Sequence, residues 1–136
     1  MPADIKLKPG IFLERTFKVL ANKTANYFSE SDSEKYAEVL GTPFLIADME
    51  KVCAELMNPL LIGDEVSVGA HIDIRHIAST GIGATYVIKV VFESVRWGLY
   101  TFSVEACDSI GVVGKGQIVR AINSNSKILQ RANQAV

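Results

Sequence analysis

The chain is poor in the features that commit a protein to a specialised chemistry. Two cysteines, Cys53 and Cys107, are too few for a disulfide framework or a zinc site and read as buried thiols in a reducing cytoplasm. The net charge is only −1, and no short window holds more than two Lys or Arg, so the basic footprint of a nucleic-acid-binding protein is missing. The longest uncharged run, Ile77 to Ile88, is too short and too rich in Ser, Thr and Gly to span a bilayer. Met1 to Pro9 has no apolar core of the kind a secretory signal carries. Gly81-Ile82-Gly83 and Gly114-Lys115-Gly116 fit neither a phosphate loop nor a dinucleotide fingerprint and read as turn or bulge. No cofactor or metal is expected. What the chain does have is apolar bulk, 49% of 136 residues against 21% charged. A single domain over residues 1–136 of this size buries about two thirds of its unfolded surface.

Hydrophobic periodicity divides that bulk into elements. Ile11 to Val19 alternates as a half-buried strand. Residues 21–41 lose this order and become polar, which suggests a long functional loop with a short helical piece around Glu34 to Val39. Thr42 as N-cap and Pro43 in the first turn open a helix. Its Leu45, Ile46, Met49, Val52, Cys53, Leu56 and Met57 fill a stripe about 140° wide, so other structure should enclose it. Asn58-Pro59 ends it. Four strands follow as an expected meander. They run from Glu65 to Arg75 (Val66, Val68, Ala70, Ile72 and Ile74 inward), from Ala84 to Val95, from Leu99 to Cys107 and from Val112 to Ile122. A short tail closes the chain. The reading is α+β, an antiparallel sheet wrapped around one helix. Val87, Val91 and Val95 make the second face of one strand apolar, which points to a homodimer.

Three polar residues fall where this pattern makes them informative. Glu50 lies on the margin of the apolar stripe, where a carboxylate is partly desolvated; the plainer reading is a boundary residue reaching into solvent. Thr42 caps a helix on the plainer reading, and a helix start also favours a developing oxyanion. His76 is in phase with the inward residues of its strand, whereas His71 is out of phase and faces away. A hydrogen-bonded core histidine is the plainer alternative. A hydroxyl, a carboxylate and an imidazole are nonetheless the groups needed to activate a nucleophile and move a proton. Gly69, in mid-strand, weakens a sheet unless something approaches its backbone closely.

These residues resemble a hotdog-fold thioesterase, in its fluoroacetyl-CoA thioesterase branch. The likeness runs through Gly41-Thr42-Pro43-Phe44, Met49-Glu50-Lys51-Val52-Cys53, Val68-Gly69, His76-Ile77-Ala78-Ser79-Thr80, Asp108 to Gly111, and Gly114-Lys115-Gly116 leading to Arg120. It implies a dimeric hotdog that hydrolyses an acyl-CoA, of short acyl chain, to free acid and CoA. Thr42, Glu50 and His76 would then be catalytic: His76 as acid/base, Glu50 as nucleophile or water-orienting base, and Thr42 bonding the carboxylate or the acyl oxygen. Gly69, Arg120 and Tyr36 would contact the substrate. Two departures stand out. The family's lid phenylalanines are replaced by Ser33-Glu34-Lys35-Tyr36, with Tyr36 the one aromatic, and Ile118 stands where the family has a His two residues before the Arg. The competing functions are a non-catalytic acyl-CoA-binding hotdog module and a hydratase. For the hydratase, Asp73 alternates to the face opposite His76. The phasing yields a direct expectation: His76→Ala lowers turnover by roughly 10²- to 10⁴-fold, the usual size of a lost general acid/base. His71→Ala leaves it nearly unchanged, and equal losses in steady-state assays would refute the assignment.

Overall fold

A computed structural model describes residues 7–136; the polar leader falls mostly on residues 1–6, outside the described residues. One helix, α1 (Thr42–Met57), carries Leu45, Asp48, Met49, Val52, Cys53 and Met57 as its buried stripe. Gly41, extended at φ −77° and ψ 140°, is the N-cap. Its carbonyl accepts from Phe44 N (3.0 Å) and Leu45 N (3.1 Å). Thr42 is thus the first helical residue and not the cap, and its hydroxyl is left for another partner. Pro43 sits in the first turn, where an absent N–H costs nothing.

The helix lies against one antiparallel sheet of five strands, β1 (Phe12–Lys18), β2 (Glu65–His76), β3 (Thr85–Arg96), β4 (Leu99–Cys107) and β5 (Val112–Ser124). Tyr86, Ile88, Val90, Phe92, Phe102, Val104, Ala106, Val113 and Ile118 form its buried face. The spatial order is β1-β3-β4-β5-β2. Only β3, β4 and β5 form a meander, so the four-strand meander is corrected: β2 pairs with β5 and occupies an edge. The segment after His76 crosses the start of α1 and delivers β3 beside β1, where Val19 N donates to Ala84 O and Gly83 N to Val19 O.

A second correction concerns phase. The ladder of β2 on β5 shifts register between Gly69 and His71, with Gly69 opposite Arg120 but Ile72 opposite Ile118. One extra residue reverses which side chains face the helix. Ile72, Ile74 and His76 share the face of buried Ile118, as expected. Val66 and Val68 instead share the far face with Asn123 and Ala121, because the bulge flips the first half of the strand.

Two local expectations also fail. Residues 34–39 are not helical; short 3₁₀ turns occur at Ala21–Lys23 and Ala25–Phe28. The backbone around Leu40 is bound in extended form, with Ala25 N donating to Val39 O and Leu40 N to Thr80 O, both 2.8 Å. The tail is helix α2 (Asn125–Gln134), capped by Ser124, whose hydroxyl accepts from Lys127 N and donates to Asp64. Among the described residues no helix is long and apolar enough to cross a membrane.

Candidate active site

Thr42 projects from the first turn of α1 and His76 from the last residue of β2. They meet with Thr42 Oγ1 2.7 Å from His76 Nδ1. Either atom can donate, according to the tautomer. His76 Nε2 is buried and has no hydrogen-bond partner among the described residues. Burial pushes the imidazole below its ordinary value, partly offset by a polar contact with the Ala78 backbone that does not satisfy Nε2. The ring is therefore neutral near pH 7, with one nitrogen engaged and the other ready to exchange a proton. A cleft of about 250 Å³ opens beside the pair, lined by Ala25, Val39, Leu40, Ile77, Ala78 and Ser79 as well as Thr42 and His76. A larger cavity of about 620 Å³ lies across the far face of the sheet among Arg75, Lys89, Glu105 and Lys115. No candidate residue lines it, so size does not mark the chemistry here.

Glu50 is held elsewhere. Arg120 Nη1 donates to Glu50 Oε1 at 2.6 Å, while its Nη2 donates to the Ser67 carbonyl (2.8 Å) and to Ser67 Oγ (3.0 Å). The guanidinium is almost wholly buried and the carboxylate about a quarter exposed. A Cβ on Gly69 would collide with Glu50 Oε1, which explains a glycine in mid-strand. Cys53, beneath this pair, is pushed up to about 12 by burial, with Arg120 lowering and Glu50 raising it; it is an inert thiol.

The three candidate catalytic residues thus form two clusters. Thr42 and Glu50 stand eight residues apart on one helix, a separation of ~12 Å along its axis. Gly69, under the carboxylate, and His76 lie at opposite ends of their half of β2, roughly 20 Å apart at the extended rise. Thr42 bonds His76, not Glu50. Tyr36 is half exposed and does not line the cleft.

Sequence reading missed several groups. Asp48 sits inside the apolar stripe of α1, and an acid at that position was the available signal. It is buried and accepts from Lys23 Nζ at 2.9 Å and from Tyr86 OH. The loop is also richer in aromatics than Tyr36 alone suggested: Phe28 stacks on Phe44 at 5.2 Å and Tyr27 meets the same ring edge-on. Neither lines the cleft.

Known proteins resemble this chain in sequence and in fold. The model of the family described as "FlK: Fluoroacetyl-CoA-specific thioesterase" matches residues 19–126. No curated protein matches the chain. Among solved structures, the fluoroacetyl-CoA thioesterase FlK is similar over 96% of this chain and 98% of its own, at 28% identity and a TM-score of 0.91. A hot-dog-like protein of Thermanaerovibrio acidaminovorans matches over 97% and 94% of the two chains, at 20% identity and a TM-score of 0.83. A thioesterase superfamily member from Thermus thermophilus matches over 96% and 93%, at 19% identity and the same TM-score. These last two show the fold alone.

The partly buried imidazole fixes a pH dependence. If neutral His76 is the working form, kcat/KM rises with pH through its lowered pKa. The acid limb then has its midpoint below ~6.5, the ordinary histidine value. Stability moves the same way: the unfolded chain binds the proton more readily, so this contribution is complete above the ordinary value and declines as pH falls through the lowered one. In His76→Ala the limb disappears from the pH–rate profile. An unchanged limb would assign it to another group.

Proposed function

From a chain that belongs to the fluoroacetyl-CoA-specific thioesterase family, and is an acyl-CoA thioester hydrolase, we infer a homodimer whose two active sites are each shared between protomers. The observation that carries this reading is the separation of Glu50 from His76 within one protomer. β2 is an edge strand, exposed from Gly69 to Asp73, with Ile72 bare on the helix-facing side. Unpaired edges of this kind invite a second strand. Antiparallel pairing of two β2 edges about a two-fold axis sets Gly69 of one strand beside the end of the other. Glu50 and Arg120 of one protomer then approach Thr42 and His76 of its partner.

In that site either Glu50 draws the proton from a water that adds to the thioester carbon, or it attacks that carbon itself and water then hydrolyses the mixed anhydride. On both routes the C–S bond breaks and the CoA sulfur leaves with a proton. Arg120 offers the Nη1 hydrogen that it does not give Glu50 to the oxygen on which charge develops, and the Gly69 backbone leaves room for the acyl group. His76 Nε2, the ring nitrogen without a partner, exchanges the proton with the leaving sulfur while Thr42 holds the ring through Nδ1. The limited volume of the cleft, about 250 Å³, suits a short acyl chain. Variants of FlK have been solved with fluoroacetate and CoA and with acetyl-CoA. The 136 residues are read as one hotdog domain working in the cytoplasm, a compartment that suits two free thiols.

Subunit mixing tests the shared site. Glu50→Gln and His76→Ala homodimers are each inactive, whereas hybrids of the two contain one intact site when each site draws on both protomers. After subunit exchange the mixture regains about a quarter of wild-type activity, since random pairing makes half the dimers hybrid and half their sites intact. No recovery, or a monomeric mass by light scattering, would refute the shared site.

Selectivity follows from the cleft lining. No Phe, Tyr or Trp lines the cleft, and contacts to one small atom supply only about 1–3 kcal/mol of discrimination. Acetyl-CoA and fluoroacetyl-CoA are expected to differ modestly in kcat/KM. A preference of many thousandfold would show that groups outside this lining read the fluorine.

A further inference from the structure

We propose that Lys23 is a positioning residue for the Thr42–His76 pair. Its ammonium group, clamped on the buried Asp48 carboxylate, holds the strap from Lys23 to Ala25 against the start of α1. The proposal rests on the thioesterase reading above, because it assigns Lys23 an effect on that site.

Lys23 is tied to α1 at both ends. Its carbonyl accepts from Gly41 N at 2.8 Å, at the cap residue that precedes Thr42. Its Nζ donates to Asp48 Oδ2 at 2.9 Å, nearly two turns further along the same helix. Asp48 is 4% exposed and Tyr86, its other donor, 1% exposed. The Tyr86 phenol is held protonated, first by burial and then by its bond to Asp48 and that charge, so it always donates. Lys23 is the cation that bonds this carboxylate, and its side chain is largely buried. Its ammonium also lies 5.2 Å from the centre of the Phe17 ring, which Lys51 approaches at 5.8 Å.

The clamp reaches the site through contact. Ala25 lines the cleft, and its backbone N and Cα lie 3.1 and 3.2 Å from where a Gly41 Cβ would stand. Ala25 N donates to Val39 O, and Leu40 N to Thr80 O, so the strap, the approach to Thr42 and the segment after His76 form one small ladder. The strap's outer end is pinned by Phe28 on Phe44. Without Lys23 the strap loses its tie to Asp48 and shifts, while the carboxylate left buried without its cation separately lowers stability. The hydroxyl of Thr42 and the cleft wall move with the strap.

The test separates positioning from stability. Wild type, Lys23→Met, Lys23→Arg and the double variant Lys23→Met/Asp48→Asn are compared in kcat, KM, Tm and Gly41 amide exchange. Lys23→Met is expected to lower kcat about tenfold with KM changed by less than about threefold, and Lys23→Arg recovers most of it. The double variant removes the stranded charge together with its partner, so it regains Tm but keeps the low kcat and the faster Gly41 exchange. Recovery of Tm and kcat together, or wild-type kcat in Lys23→Met, would overturn the proposal. If Lys23→Met fails to fold, the double variant gives the answer alone. Absence of turnover in the wild-type protein would count against the thioesterase reading, while the Gly41 exchange still reports on the clamp.

Discussion

A guanidinium taken out of water determines much of this molecule. Arg120 is 7% exposed; its charge is balanced by Glu50, and its Nε and Nη2 donate to Ser67. Removing either charged partner would leave the other buried and uncompensated, which costs far more than the pair contributes over an apolar substitute. The arrangement is therefore hard to explain as a stability device. It imposes requirements on three elements at once. Helix α1 must present a carboxylate on its buried margin, β2 must present a backbone without a side chain at Gly69, and β5 must point Arg120 inward.

The last two requirements meet at the bulge. With Gly69 facing the helix, strict alternation would turn residue 76 away from it. The register shift between Gly69 and His71 restores the phase, so that His76 also faces the helix and reaches Thr42. One strand thus carries two site elements on the same face, Gly69 near its middle and His76 at its end, only because an extra residue separates its halves.

Much of this was legible in the sequence, for reasons that also explain what was not. Helix α1 announced itself through Pro43 and a continuous apolar stripe, and the inward faces of β3 and β4 through clean alternation over Tyr86 to Phe92 and Tyr100 to Ala106. Gly69 was legible as a close backbone approach. The bulge was hidden because Val66, Val68, Ala70, Ile72 and Ile74 alternate without interruption across it, and two of them, Val66 and Val68, face the other way. The edge position of β2 was hidden because strand order is decided by long-range pairing, and a neighbouring strand in sequence is only usually a neighbour in space. Residues 34–39 are not helical: Val39 pairs with the distant backbone of Ala25 and Gly81, and Glu34 N bonds only the nearby Ser31 carbonyl. Arg120 reached the site through resemblance alone, since its guanidinium and the Glu50 carboxylate are separated by most of the sheet in sequence. Lys23–Asp48 needed Tyr86 to be seen as a unit.

The division of labour within the fold has a consequence for how such a site changes. Thr42, Glu50, His76 and Arg120 all stand on α1, β2 or β5, elements packed on one another over the buried core. Much of the cleft wall is supplied by connecting segments, through Ala25, Val39, Leu40 and Ile77 to Ser79. Groups on rigid elements keep their mutual geometry when loops change, and loops carry most of the variation that sets substrate choice. The Lys23 clamp bridges these two regimes, because it fixes one leg of the loop to the same helix that carries Thr42. The span from Ser29 to Glu38 has no such tie to the core. A change of acyl group is therefore most easily accommodated there, while the proton-moving pair and the charged pair stay as they are.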